Sequence, residues 1–222
     1  MADLAIHWFA LTATAAQQRA WRAWLSPQEC ARADRYLSPV HGERYLAAHA
    51  QLRWILAREM GCPPGAVCFR RDAHGKPGIA GAGLQFNLSH SGALGLVGVH
   101  PTMEVGVDIE VERTRNFLGL AERYFTPAEQ AWLREQPEAE RAHAFARLWT
   151  CKEAWMKADG RGLAVLRQPE IALDGAAAAL HAEGRAWWVH ELALAPGCAA
   201  AVVMRAAPEA ISVKRLPPPP LA

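Results

Sequence analysis

An apolar run over residues 6–11, and aliphatic residues at every second position over 105–111, are the patterns of strands laid against a core. Helical periodicity follows each of these segments, and the helices mark their own starts. Ser26-Pro27-Gln28-Glu29 offers a serine N-cap, a proline at the first helical position and a glutamate able to close a capping box. Thr126-Pro127-Ala128-Glu129 repeats that signature in the second half of the chain. A further helical pattern comes after each cap, opening at Glu43-Arg44 and at Glu140-Arg141. These patterns run down to Gly61 and Gly160, glycines suited to end a helix in the left-handed conformation. Strand-like sequence returns beyond each glycine, at 66–70, 84–88 and 94–99 in the first half and at 170–173, 187–194 and 199–204 in the second.

The repeated order predicts an α+β fold of two similar subdomains, residues 1–104 and 105–222, with a ligand cleft at their interface. The four consecutive prolines at 217–220 predict a disordered tail over residues 216–222. A chain of 222 residues with 51% hydrophobic and 21% charged residues has the make-up of a soluble globular protein. Its formal net charge of +2 implies no general affinity for nucleic acid or for a membrane surface. No apolar run approaches the roughly 20 residues that span a bilayer, and residues 1–16 lack the basic segment of a secretory signal. Five scattered cysteines without a C-x-x-C pair predict reduced thiols in a cytoplasmic protein, with neither a disulfide framework nor a zinc site.

Chemistry concentrates in a few places. In Val105-Gly106-Val107-Asp108-Ile109-Glu110-Val111 the odd positions are aliphatic, so Asp108 and Glu110 share the opposite face, about 7 Å apart along the strand. Two carboxylates on one face suit a hard divalent cation such as Mg²⁺, and they equally suit a solvent-facing strand. Glu153 and Lys157 lie at i and i+4 of a helical segment, as an intrahelical ion pair or as a metal ligand beside a phosphate-binding lysine. The only lysines are Lys76, Lys152, Lys157 and Lys214. Lys76 sits in a tight loop, His74-Gly75-Lys76-Pro77, and Asn87, Ser89 and His90 fall where a strand runs out into a turn. Such polar strand ends serve anion recognition or purely local turn formation.

Taken in order, Gly75-Lys76-Pro77, Phe86-Asn87-Leu88-Ser89-His90-Ser91, Val105 through Glu110 and Trp149 through Lys157 resemble the motifs of the Sfp-type 4′-phosphopantetheinyl transferases. Gly160-Arg161-Gly162-Leu163 continues the likeness, which spans about residues 25–163. The resemblance implies two α+β subdomains related by a pseudo-two-fold, with coenzyme A in the cleft between them. It implies transfer of the phosphopantetheine arm to a serine of an acyl or peptidyl carrier protein, releasing adenosine 3′,5′-bisphosphate. It assigns Asp108, Glu110 and Glu153 to Mg²⁺ and Lys157 to the pyrophosphate, making Asp108, Glu153 and Lys157 the catalytic set. Lys76, Ser89 and His90 would hold the adenosine 3′-phosphate and its neighbours, in a loop shaped by Asn87.

The first capped helix departs from the family, carrying Glu29 and Arg32 where lysines are expected. Arg44 and Arg53 are then candidates for that part of the phosphate clamp, or simply solvated or paired charges. Arg113, Arg115 and Arg123 offer a basic face for an acidic carrier protein, with solvation as the plainer alternative. A duplicated plan that builds its own interface site implies a monomer. The competing readings are a Mg²⁺-dependent nucleotide phosphohydrolase and a non-catalytic protein that binds coenzyme A or a carrier.

Overall fold

Two runs of elements share one order in the computed structural model, which describes residues 4–81, 83–112, 117–175 and 177–220. The first run is Leu4–Ala10 (β1), Ala15–Arg22 (α1), Pro27–Asp34 (α2), Pro39–Met60 (α3), Phe69–Arg71 (β2), Pro77–Ile79 (β3), Gln85–Ser91 (β4) and Leu94–His100 (β5). The second is Val105–Val111 (β6), Phe117–Tyr124 (α4), Pro127–Glu135 (α5), Arg141–Asp159 (α6), Glu170–Asp174 (β7), Ala177–Ala182 (β8), Arg185–Glu191 (β9) and Cys198–Met204 (β10). A last strand, Ile211–Leu216 (β11), closes the chain's secondary structure among the described residues.

Both capping boxes form, and each glutamate does more than cap. Ser26 Oγ accepts from the Glu29 amide at 3.2 Å while the Glu29 carboxylate accepts from the Ser26 amide at 2.8 Å. That carboxylate also accepts from Arg53 in the middle of α3, at 2.7 Å from Nη2, and Arg53 donates onward to the Val67 carbonyl at 2.8 Å. Burial disfavours charge on Glu29, but bonds from His49, Arg53 and the Ser26 amide outweigh it and hold the carboxyl at about 2. In the second half Glu129 closes the box with Thr126 and meets Lys152 of α6 at 2.9 Å, and Lys152 donates to the Pro169 carbonyl at 2.6 Å. Glu129 and Lys152 have fully buried side chains. Such a pair is tolerated because hydrogen bonds accepted by Glu129 and donated by Lys152 replace lost water. One glutamate per half thus ties a short helix to a long helix, whose cation holds the segment beyond it.

The strands make a sheet of order β11-β1-β5-β4, a sheet of order β6-β10-β9-β8-β7, and a separate β2-β3 hairpin. Phe9, Val97 and Val99 pack on α3, while Leu4, Ile6 and Leu96 turn from the other face of the first sheet to meet the second. There they meet Val105, Val107, Ile109, Val202 and Met204, so sheet lies on sheet with a long helix outside each. Strand β6 is therefore buried on both faces, and the single core-facing side expected from its alternation was too narrow a reading. Its odd residues face the first sheet and its even residues face α6.

Strand β11 revises the expected boundaries. It pairs parallel with β1, from Leu4 opposite Ile211 to Phe9 opposite Leu216, so the last strand belongs to the first sheet rather than to a unit running from 105 to 222. Pairing there covers the β1 edge that would otherwise present unpaired amides and carbonyls. The tail expected to be disordered over residues 216–222 makes contacts over residues 216–219. Leu216 ends β11, the Pro217 carbonyl accepts from Gln51 Nε2 at 3.4 Å, and Pro219 is buried.

Gly106 sets the closest approach in the second half. A Cβ there would stand 2.0 Å from the Ala154 carbonyl oxygen and 2.4 Å from the Ala158 amide nitrogen, so only glycine lets α6 lie this near β6. Gly106→Ala should therefore cost about 3 kcal/mol in urea unfolding. Gly83→Ala, where a Cβ meets nothing closer than 3.7 Å, should stay within about 0.5 kcal/mol of wild type. Equal stability of the two variants would contradict this account of the contact.

Candidate active site

The two sheets meet at their edges through side chains. Residues 87, 89 and 91 of β4 point at the edge of β6, as the two-residue period of a strand dictates. Asn87 Oδ1 accepts from the Val107 amide at 3.0 Å and Ser91 Oγ accepts from the Val111 amide at 3.1 Å. Ser89 Oγ donates to Asp108 Oδ1 and Ser91 Oγ donates to Glu110 Oε2, each at 2.6 Å. This polar stitching satisfies β6 amides that would otherwise be buried without partners.

Helix α6 brings the remaining groups. Because Ala154 and Ala158 rest on Gly106, the neighbouring stripe of the helix carries Glu153 and Lys157 to the same place. Lys157 Nζ donates to Asp108 Oδ1 at 2.5 Å and to Ser89 Oγ at 3.0 Å, and it lies 3.5 Å from Glu153 Oε2. Asp108 is only 2% exposed, which removes the solvent-facing reading of this strand. Its second oxygen, Oδ2, is buried and has no hydrogen-bond partner among the described residues.

Charge crowding governs the electrostatics. Burial pushes the Glu153 carboxyl up to about 7, helped by the negative charges of Asp108 and Glu110 and opposed by Lys157. For Lys157 burial works against the charge, but Asp108 and Glu153 outweigh it and raise its affinity for the proton. Among the described residues no three His, Cys, Asp or Glu side chains converge as a ready-made metal centre. The cluster instead shares the Lys157 ammonium as its positive charge. An orphaned buried carboxylate oxygen and a surplus of oxygen donors are nevertheless what a hard divalent cation requires.

A family model described as the 4′-phosphopantetheinyl transferase superfamily matches residues 104–197, the segment that carries Asp108, Glu110, Glu153 and Lys157. The chain is 42% identical over 187 residues to the 4′-phosphopantetheinyl transferase HetI of Nostoc, covering 82% of this chain and 79% of that one. The chain belongs to the 4′-phosphopantetheinyl transferase superfamily. It is also 26% identical over 164 residues to the 4′-phosphopantetheinyl transferase Sfp of Bacillus subtilis, covering 73% of this chain and 70% of that one.

The transferase groups its sequence-predicted residues unevenly. Asp108, Glu153, Lys157 and Ser89 come together, with Asn87 beside them on the sheet edge and Glu110 one step along the strand, bonded to Ser91. His90, on the other face of β4, lines a groove of about 800 Å³ whose walls include Arg32, Tyr45, His49, Arg71 and Asn87. Lys76 is engaged elsewhere: its ammonium bonds Glu104 and reaches the Ala158 carbonyl at 3.2 Å, at the end of α6. Arg44 is half-buried on α3 and is not among the residues lining the groove. Arg53, committed to Glu29 and the Val67 carbonyl, is a paired charge rather than a free phosphate ligand. Ser91 went unassigned in the sequence, although its signal was present in the polar residues at every second position of β4.

The raised carboxyl of Glu153 can be checked directly. In metal-free buffer, ¹³C-detected titration should place it near 7 in the wild type. It should fall toward the ordinary carboxylate range in Asp108→Asn, because a negative neighbour is removed and Lys157 keeps Glu153 as its acidic partner. An unchanged midpoint in Asp108→Asn would contradict the crowding described above.

Proposed function

We propose that this transferase moves the 4′-phosphopantetheine arm of coenzyme A onto a serine hydroxyl of an apo carrier protein, with Mg²⁺ held by Asp108, Glu110 and Glu153. The observation that carries the metal assignment is the buried Asp108 Oδ2, without a hydrogen-bond partner among the described residues, in a cluster whose Lys157 bridges Asp108 and Glu153 and where the Glu110 charge bears on Glu153. Mg²⁺ bound there would neutralise the pyrophosphate and stabilise charge developing on the leaving side.

The chain's own groups supply the rest. Lys157, drawn to Asp108 and Glu153, is a fixed positive charge for a pyrophosphate oxygen. The serine oxygen attacks the β-phosphorus, the bond to adenosine 3′,5′-bisphosphate breaks, and the serine proton passes to Glu153. Since Ser89 is committed to Asp108 and Lys157, and Lys76 to Glu104, the adenosine phosphates fall to Arg32, Arg71 and His90 in the groove. Positioning and electrostatics, without a covalent enzyme intermediate, are the means by which phosphoryl-transfer enzymes work.

Exposed Arg123, with its guanidinium 5.2 Å from the Tyr124 ring centre, supports an acidic carrier protein as the partner. Arg113 and Arg115 lie outside the described residues. One chain supplies both edges of the carboxylate site, which supports a monomer. The repeated element order and the paired capping glutamates support a pseudo-two-fold relation between the halves. No helix of the described residues is long and apolar enough to cross a membrane. The described cysteines are free, in keeping with a cytoplasmic setting.

Incubated with coenzyme A and Mg²⁺, the protein should add one phosphopantetheinyl group, about 340 Da, to an apo carrier protein. Chelator should abolish the gain, and Asp108→Asn should slow it at least about 100-fold. Release of adenosine 3′,5′-bisphosphate without any carrier protein would instead identify a phosphohydrolase.

A further inference from the structure

We propose that Ser91 is a positioning residue that fixes Glu110 for the divalent cation, acting from the opposite sheet. Ser91 is 6% exposed, and both capacities of its hydroxyl are spent. Its oxygen accepts from the Val111 amide at 3.1 Å, and its proton is given to Glu110 Oε2 at 2.6 Å. With the oxygen held by a backbone amide, the hydroxyl has little freedom to point elsewhere, so the direction of the Glu110 carboxylate is set by main chain.

The arrangement repeats one step along the strands. Ser89 gives its proton to Asp108 as Ser91 does to Glu110, and both pairs are separated by 19 residues. The S-x-S spacing of β4 therefore matches the D-x-E spacing of β6 through the common two-residue period. Asp108 lies in the buried stretch of the strand, and Glu110 lies at its less buried end. Mutual repulsion favours Glu110 swinging away from Asp108 and Glu153, and the Ser91 bond opposes that swing. Removing the bond should loosen the cation site while leaving the adenosine groove, on the other face of β4, as it was.

The inference rests on reading Asp108, Glu110 and Glu153 as the cation site, and the test separates the two. Mn²⁺ binding to the full chain in the presence of coenzyme A is followed by electron paramagnetic resonance for wild type, Asp108→Asn, Ser91→Ala and Ser91→Thr. Ser91→Ala should weaken Mn²⁺ binding about 10-fold, the scale for losing a partner that orients a metal ligand. Ser91→Thr, which keeps the hydroxyl, should restore it. Turnover of Ser91→Ala should recover at saturating Mg²⁺ with the KM for coenzyme A unchanged, a split that a general loss of structure would not give. Thermal unfolding of each variant identifies any that fails to fold, and Ser91→Cys, close in size and a weak donor, then takes the place of Ser91→Ala. If Asp108→Asn weakens Mn²⁺ binding and loss of the Ser91 hydroxyl does not, the positioning role is overturned. If Asp108→Asn has no effect on Mn²⁺, the cation site itself is overturned.

Discussion

The contact of α6 with Gly106 is the constraint on which the rest depends. Helix and strand backbones approach so closely there that no side chain fits between them. The helix can therefore neither slide nor rotate without losing that fit, and packed interiors do not yield gradually. Ala154 and Ala158 are the residues in contact, so their neighbours Glu153 and Lys157 have one available place, beside Asp108. The fully buried ion pair of Glu129 with Lys152 anchors the same helix from its other side and holds the chain beyond it through Pro169. A site made of like charges needs such restraint, because its own electrostatics push its members apart.

A second consequence follows from joining the sheets by side chains. A continuous hydrogen-bond ladder between β4 and β6 would have placed main chain where the chemistry is. Asn87, Ser89 and Ser91 serve instead as edge partners, and their polar atoms answer amides and carboxylates in alternation. The first half thus contributes orientation and the second half contributes charge. The groove lined by Arg32, His49 and Arg71 lies on the first half's other side of β4, where His90 faces it.

Much of this was legible in the sequence where local rules decide. Both capping boxes, the glycine ends of the long helices and the strand at 105–111 depend on residues a few positions apart, and they stand as the sequence implied. The two-residue period of the strand placed Asp108 with Glu110 and the four-residue step of the helix placed Glu153 with Lys157, but no local rule joined the strand's pair to the helix's. Partners far along the chain were hidden. Nothing local in Ile211–Leu216 says that it will run parallel to β1, and Ala177–Ala182 lacks the β-branched residues that mark a strand. The fate of a charge was equally hidden. Arg53 and Lys76 look free in sequence, and each is spoken for by a glutamate 24 or 28 residues away. Ser91 carries no distinguishing mark of its own in sequence, because a hydroxyl near a strand end has many ordinary uses.

The central claim is that the pyrophosphate of coenzyme A lies against the Asp108–Glu110–Glu153 cluster while its 3′-phosphate lies in the groove. Phosphorus NMR of coenzyme A bound to the protein with substoichiometric Mn²⁺ tests this most directly, since paramagnetic broadening falls steeply with distance from the ion. The account predicts strong broadening of the pyrophosphate resonances, weaker broadening of the 3′-phosphate, and loss of that difference in Asp108→Asn. Equal broadening of all three phosphates, or a difference that survives in Asp108→Asn, would contradict it.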